Sequence, residues 1–389
     1  MQAVEFSLGG SALIKRLRRL GALKWIPQNL TYQIMLAVLI AWAPLFMITA
    51  YKGLAFGSTV QIPFLFDLVQ HARFLVALPS AIALGKFVNP RARNVLNTFL
   101  RNGIVSSKDF ARFENAISRA RRLTSSMIPE LAILVLIYAP TSWGLHRQVA
   151  TGMSSWHHPH ITASIPEAAS RGWFLWVSMP LLLFTWCLWA WRLSVWAYLL
   201  FRISRLDLRL IATHPDRAGG LGFVHVAMRS FWLLVFAISS ILCASIGEEI
   251  LFKGASLHSY EMELALFFVV CLAVILGPLL AFTPILMRAK LENWGRYGSL
   301  ASSYVQGFDE KWASQSDRSR EDLLGTADLQ SLADLGNSYT VITEMRTILP
   351  NRTTVGIFAI AYAAPALPLL GSVISLRHIL SEVYVLLVK

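Results

Sequence analysis

Seven stretches of the chain are apolar over the length of a bilayer crossing: 34–51, 64–86, 127–145, 173–191, 223–247, 264–287 and 355–374. A hydrocarbon core of about 30 Å takes roughly 20 apolar residues as helix. In lipid, a helix is the element that satisfies its own backbone donors and acceptors. The first, sixth and seventh runs are clean. The second and fifth carry polar residues near one end, and the third is short and opens near Glu130. Gly277 with Pro278 interrupts the sixth run, and Pro365 with Pro368 the last. Prolines in a span either bend it or break it to build a binding site at the midplane. No inverted repeat links the two halves. The pattern predicts an all-α, polytopic transmembrane helical bundle of six to seven spans.

Two polar stretches between the runs are long enough to fold. Residues 89–126 predict a helix over about 106–124, with Phe110, Phe113, Ile117 and Ala120 recurring at helical spacing and a basic opposite face. Residues 288–353 are nearly neutral and predict two helices. Tyr304, Phe308 and Trp312 stripe the first; Leu329, Leu332, Tyr339 and Ile342 stripe the second, with Thr326 or Asp328 as its cap and Pro350 as its stop. The expected organisation is a bundle over 1–287, a small cytoplasmic helical module over 288–353, and a last span with its tail over 354–389.

Charge orients these spans. The N-terminal segment carries Lys15, Arg16, Arg18, Arg19 and Lys24, and eight Lys/Arg recur from Arg91 to Arg122. The stretch after the fourth run adds Arg202, Arg205, Arg209 and Arg217. The alternate loops hold little more than Lys52, Arg147, Arg171 and Lys253, the last beside Glu248, Glu249, Glu261 and Glu263. Short loops rich in Lys/Arg stay cytoplasmic, so the N-terminus is expected inside. The net charge of +13 is then a topology signal, with anionic lipid headgroups at the cytoplasmic face as partner rather than nucleic acid. The first run follows a basic stretch as a signal sequence would, but it is full length with no small-residue cleavage pattern, and reads as an uncleaved anchor. Cys187, Cys243 and Cys271 all fall inside runs, form no CxxC pair, and read as packing residues.

The densest stretch is RLDLRLIATHPDRAGGLGF, ending at Phe223. A glycine-rich turn feeding a helix presents N–H groups that suit an anion, which nominates His214, Asp216, Arg217, Gly219 and Gly220 as an anion or ligand site. The same residues also read as a tight turn in which Asp216 takes the backbone donors. Together with YGSLASSYVQGFDEKW and LLGTADLQSLADLGNSYTVITEMR, this stretch resembles the recurring motifs of a family of uncharacterised bacterial integral membrane proteins, over roughly residues 172–350. The resemblance implies a bacterial inner-membrane protein and carries no activity, cofactor or catalytic residue.

Arg192, among Trp186, Trp189, Trp191 and Trp196, and Arg229, one turn into the fifth run, are intramembrane charges and join the candidate ligand site. Both also read as snorkelling arginines near the cytoplasmic end with cation–π support, and Glu130 as a partner for either. His157, His158 and His160 form a His-rich loop that reads as a chelate or as plain exposed loop, and Asp67 with His71, one turn apart, as a proton- or metal-sharing pair or a solvated helix end. No Walker loop, GxSxG, HExxH or paired-His motif occurs, so no catalytic residue and no cofactor are assigned.

The reading that follows is a transport-type protein, expected as a homo-oligomer, moving an ion or small solute, with a small anion favoured. One alternative is a scaffold or effector whose 288–353 module binds a cytoplasmic protein. A second is a membrane-embedded enzyme acting on lipid through His214 and Asp216.

Overall fold

The computed structural model describes residues 6–21, 29–56, 62–142, 165–313 and 327–369. Among these, helices are the regular element and no strand occurs. In chain order they are α1 (Ala12–Arg19), α2 (Leu30–Tyr51), α3 (Leu68–Arg101), α4 (Phe110–Ser125), α5 (Ile128–Ser142), α6 (Ala169–Ser204), α7 (His225–Arg229), α8 (Trp232–Lys253), α9 (Leu257–Ala313), α10 (Ala327–Thr343) and α11 (Arg352–Leu369). Six of them, α2, α3, α6, α8, α9 and α11, are long and apolar enough to cross a bilayer. A seventh crossing is reached only if 107–125 and 128–139, bent by 41° at their junction, form one span. The chain is a multi-pass membrane protein built as a helical bundle.

The sequence boundaries shift where local geometry intervenes. The fifth span starts at Trp232 rather than near 223, because α7 and a turn at Ser230 precede it. Ser230 Oγ donates to the carbonyl of Phe87 and accepts from Arg91, so the turn is tied to α3. Residues 287 and 288 lie inside Thr283–Phe308, the α-helical part of α9 that continues the sixth span outward. At 57 residues α9 is roughly 85 Å long, far beyond the hydrocarbon thickness. Its outer part pairs with α10 as a hairpin: Trp294 donates to the Tyr339 hydroxyl, Tyr304 to the Asp328 carbonyl, and Lys311 and Trp312 to the Asp328 carboxylate. Gly277–Phe282 and Ala364–Ala366 are tight 3-10 turns within their helices, where Pro278 and Pro365 fall; Pro368 lies in the helical turn after the second.

Two apolar cores are stacked along the bundle. One gathers Phe99, Phe113, Trp196, Leu199, Phe231 and Phe282; the other gathers Leu45, Phe64, Phe74, Leu78, Phe174 and Leu182. In the second, α3 and α6 each widen into a π-helical turn, at Ala72–Ala77 and Phe174–Ser178. The two turns meet where Phe74 stands edge-on to Phe174, and Ser178 Oγ donates to the carbonyl of Ala41 on α2 at 2.7 Å. Such turns free a carbonyl from the helix ladder and recur at functional positions.

The arginine-rich connections gather at one end of the bundle. Asp109 accepts from the Asp207 amide, Arg209 N–H donates to the carbonyl of Ile104, and Arg346 N–H to that of Arg217. Into this basic end the N-terminal segment inserts. Phe6 and Leu8 are buried, Phe6 packs against Trp196 with ring centroids 6.1 Å apart, and Gly9 N–H donates to Asn89 Oδ1 at 2.6 Å. Burying two such side chains contributes about 1.5–3 kcal/mol each, which together with the Gly9 hydrogen bond offsets part of the entropy of ordering the segment.

Candidate functional site

The residues nominated from the sequence separate into three places. The first is the turn between α6 and α7. Asp216 Oδ1 accepts from the amides of Ala218 and Gly220 at 2.8 and 3.1 Å, and Oδ2 from Gly222 at 2.8 Å. The anion held by this nest of N–H groups is therefore the chain's own carboxylate. Burial pushes the Asp216 carboxyl upward, but the three amides and His214, 2.9 Å away, outweigh it and hold it below the ordinary value. Arg217 is left-handed, with φ of 52°, and pairs with Glu344 at 2.8 Å. Gly219 has φ of +64°, and a Cβ there would stand 3.0 Å from Met345. Arg346 clamps the turn, donating to the carbonyls of Arg217 and Asp216. Arg229 lies close by, within electrostatic reach of His225.

The second place is the opposite end of the bundle. Asp67 and His71, one turn apart, face different partners. Asp67 caps the Gln70 amide and lies with Arg73 and Glu248, while Glu248 accepts from the Val69 amide at 2.9 Å and so locks α8 to α3. His71 Nδ1 accepts from Trp42 at 3.2 Å, which leaves its N–H on Nε2, donating to the carbonyl of Leu65. Both ring nitrogens are thus engaged by protein. Among the described residues no group of three or more His, Cys, Asp or Glu side chains is placed to hold a metal ion. His157, His158 and His160 lie outside the described residues.

The third place is where Arg192 stands, and it is a cavity of about 500 Å³ between three spanning helices. Each helix gives one face: Leu36, Ala37 and Ile40 from α2; Ile82, Gly85 and Lys86 from α3; Leu181, Phe184, Leu188 and Arg192 from α6. These spacings of three and four residues are what a helical wall requires. The N-terminal segment closes the basic end of the cavity with Gly9, Gly10, Lys15 and Arg18. Among the described residues no carboxylate lines it. Arg192 is 7% exposed, and its guanidinium lies 4.9 Å from the Trp189 ring. That ring is fixed in turn, since its Nε1 donates to the Ala81 carbonyl at 2.7 Å.

Glu130, the acid nearest Arg192, is otherwise occupied. It is 2% exposed, and its two oxygens accept from Ser11 Oγ and from the amides of Ala12 and Leu13 at 2.7–2.8 Å. It thereby caps the N-terminus of α1, where a negative charge also suits the helix dipole. Beyond α1 lies a second, wider cleft of about 1050 Å³, with Arg16, Arg19, Arg93 and Arg121 on its walls and Lys15 shared with the cavity. The arrangement is a positively charged approach leading past α1 to a mostly apolar cavity with one fixed guanidinium.

Compared with known protein families, with curated proteins and with solved structures, the chain matches none.

Proposed function

We propose that the protein is a membrane transport protein for an anionic solute, and that the cavity between α2, α3 and α6 is where the solute binds. The observation that carries this reading is the lining: Lys15, Lys86 and the buried Arg192 face one partly open cavity between the helices, with mostly apolar walls and no carboxylate among the described residues. Charges held within a membrane bundle are costly and mark substrate paths, and positive lining selects anions. On this reading the basic end faces the cytoplasm of a bacterial inner membrane, and the cavity opens towards that side.

Purified protein in liposomes, with chloride, phosphate, potassium and proton gradients imposed one at a time, tests it. Anion flux that Arg192→Gln reduces supports transport. Silence in vesicles holding folded, inserted protein rejects transport of a small inorganic ion, and silence towards an added organic anion as well rejects the reading.

A second reading, a scaffold acting through the hairpin of α9 and α10, is favoured by one observation. Leu291, Trp294, Leu300 and Leu329 stand half or more exposed on that hairpin, a surface apolar enough to receive a protein partner. Exchange of the hairpin for an unrelated helical pair separates the two readings: transport survives it, and scaffolding does not.

A further inference from the structure

The three-helix cavity is more apolar than a small inorganic anion requires. Leu36, Ile40, Ile82, Leu181, Phe184 and Leu188 offer nothing to a hydrated ion, which would have to shed its water against hydrocarbon. A volume of about 500 Å³ lies in the range of small-molecule sites and exceeds by far what one ion fills. The cationic groups are confined to Lys15, Arg18, Lys86 and Arg192. Separate apolar and cationic linings in one space match a ligand with the same division.

We propose that this cavity binds a single-chain lipid phosphate, with the acyl chain along α2 and α6 and the phosphate monoester between Arg192, Lys86 and Lys15. The inference narrows the solute of the transport reading and rests on that reading for movement only, not for binding.

Two features select a phosphate monoester over a carboxylate. Several cations face a cavity that no acid among the described residues lines, and a phosphate monoester carries about −1.5 to −2 charges at pH 7 where a fatty carboxylate carries one. Arg192 presents a guanidinium whose described contacts are the Trp189 ring and the charge of Glu130. The oxygens of Glu130 are taken by Ser11, Ala12 and Leu13. A planar guanidinium in a space of low polarity pairs best with two oxygens of one anion, and phosphate supplies them at the matching spacing.

The apolar division is equally specific. On α2 the cavity takes the face carrying Leu36, Ala37 and Ile40, while Tyr32, Met35 and Leu39 stand exposed on the other face. A single helix therefore separates the cavity from the lipid-facing surface, and an acyl chain already in the bilayer reaches it past α2.

The test is equilibrium binding of oleoyl lysophosphatidic acid to the full chain in nanodiscs of phosphatidylcholine, with three competitors: mono-oleoyl glycerol, oleic acid and inorganic phosphate. The expected result is saturable binding, about tenfold or more weaker for each competitor, and about tenfold weaker for Arg192→Gln. Lys86→Gln, at an exposed position that folding tolerates, weakens binding severalfold, and Ala37→Trp, which fills the apolar side, abolishes it with the charges intact. No saturable binding overturns the proposal. So does equal binding of the glycerol ester or the fatty acid, because the phosphate then contributes nothing. Equal binding of inorganic phosphate removes the acyl component and overturns it as well. Lipid binding without flux leaves this site standing and rejects transport; flux of a small anion without lipid binding does the reverse.

Discussion

Ser11 and Glu130 are 119 positions apart in sequence, yet Ser11 Oγ donates to a Glu130 oxygen at 2.7 Å. The contact joins the start of α1 to the start of α5 and fixes the segment that closes the basic end of the cavity. Ala12 and Leu13 add their amides to the same carboxylate, so one buried acid orders the N-terminal segment.

Glu130→Gln is therefore expected to loosen that segment. The amide keeps one oxygen but turns an N–H₂ group towards donors, leaving a buried N–H unpaired at about 1–3 kcal/mol. Hydrogen exchange should rise over residues 6–21 and stay unchanged in α8. Protection of 6–21 equal to wild type would mean that Phe6 and Leu8 hold the segment unaided.

The turn around Asp216 predicts a stability effect rather than a catalytic one. Asp216→Asn faces one of the amides of Ala218, Gly220 and Gly222 with a donor, and is expected to cost about 1–3 kcal/mol in thermal unfolding. Because the native carboxyl titrates below its ordinary value, its contribution is complete above the unfolded pKa. It is lost as pH falls through the lowered native value. Normal folding of Asp216→Asn with loss of a lipid-directed activity would favour the enzyme reading instead.

Gly219→Ala is expected to destabilise the same turn. The left-handed backbone disfavours any side chain, and the new Cβ meets Met345 at 3.0 Å. Gly53→Ala, with a similar φ of +68° but open space around it, isolates the backbone part. Unfolding temperatures should rank wild type, Gly53→Ala, Gly219→Ala. Equal losses would show that Met345 yields freely.

At the opposite end, Arg73 faces both Asp67 and Glu248. Arg73→Met leaves two acids together without a cation and is expected to cost about 3–5 kcal/mol, more than Glu248→Gln, which removes one acid and keeps an acceptor for Val69. A reversed order in denaturant unfolding would place the main attachment of α8 to α3 in its apolar contacts.

The spans were legible because a run such as Leu30–Tyr51 is apolar all round, and the requirement to close every backbone hydrogen bond leaves only helix for it. The α9 and α10 stripes were legible for the same reason of periodicity: Tyr304 and Trp312 do meet Asp328. The reading of Asp216 as the group that takes the turn's donors needed only local spacing. What the sequence hid depends on distance along the chain. Phe6 and Leu8 are too few to make a periodic signal, and nothing near Glu130 points to Ser11. Arg192 looks like a snorkelling residue until α2, α3 and the N-terminal segment enclose it. The π-helical turns at Ala72–Ala77 and Phe174–Ser178 have no signal in composition.

The central claim, an anion-accepting cavity inside the bundle, is tested most directly by its reactivity. Ala37→Cys, made with Cys187, Cys243 and Cys271 replaced by alanine, places a thiol on the α2 wall of the cavity. Anionic and cationic methanethiosulfonates of equal size are then compared in sealed vesicles. The predicted result is faster modification by the anionic reagent, with the preference lost in Arg192→Gln. Faster modification by the cationic reagent, or a preference that Arg192→Gln leaves unchanged, would contradict the account.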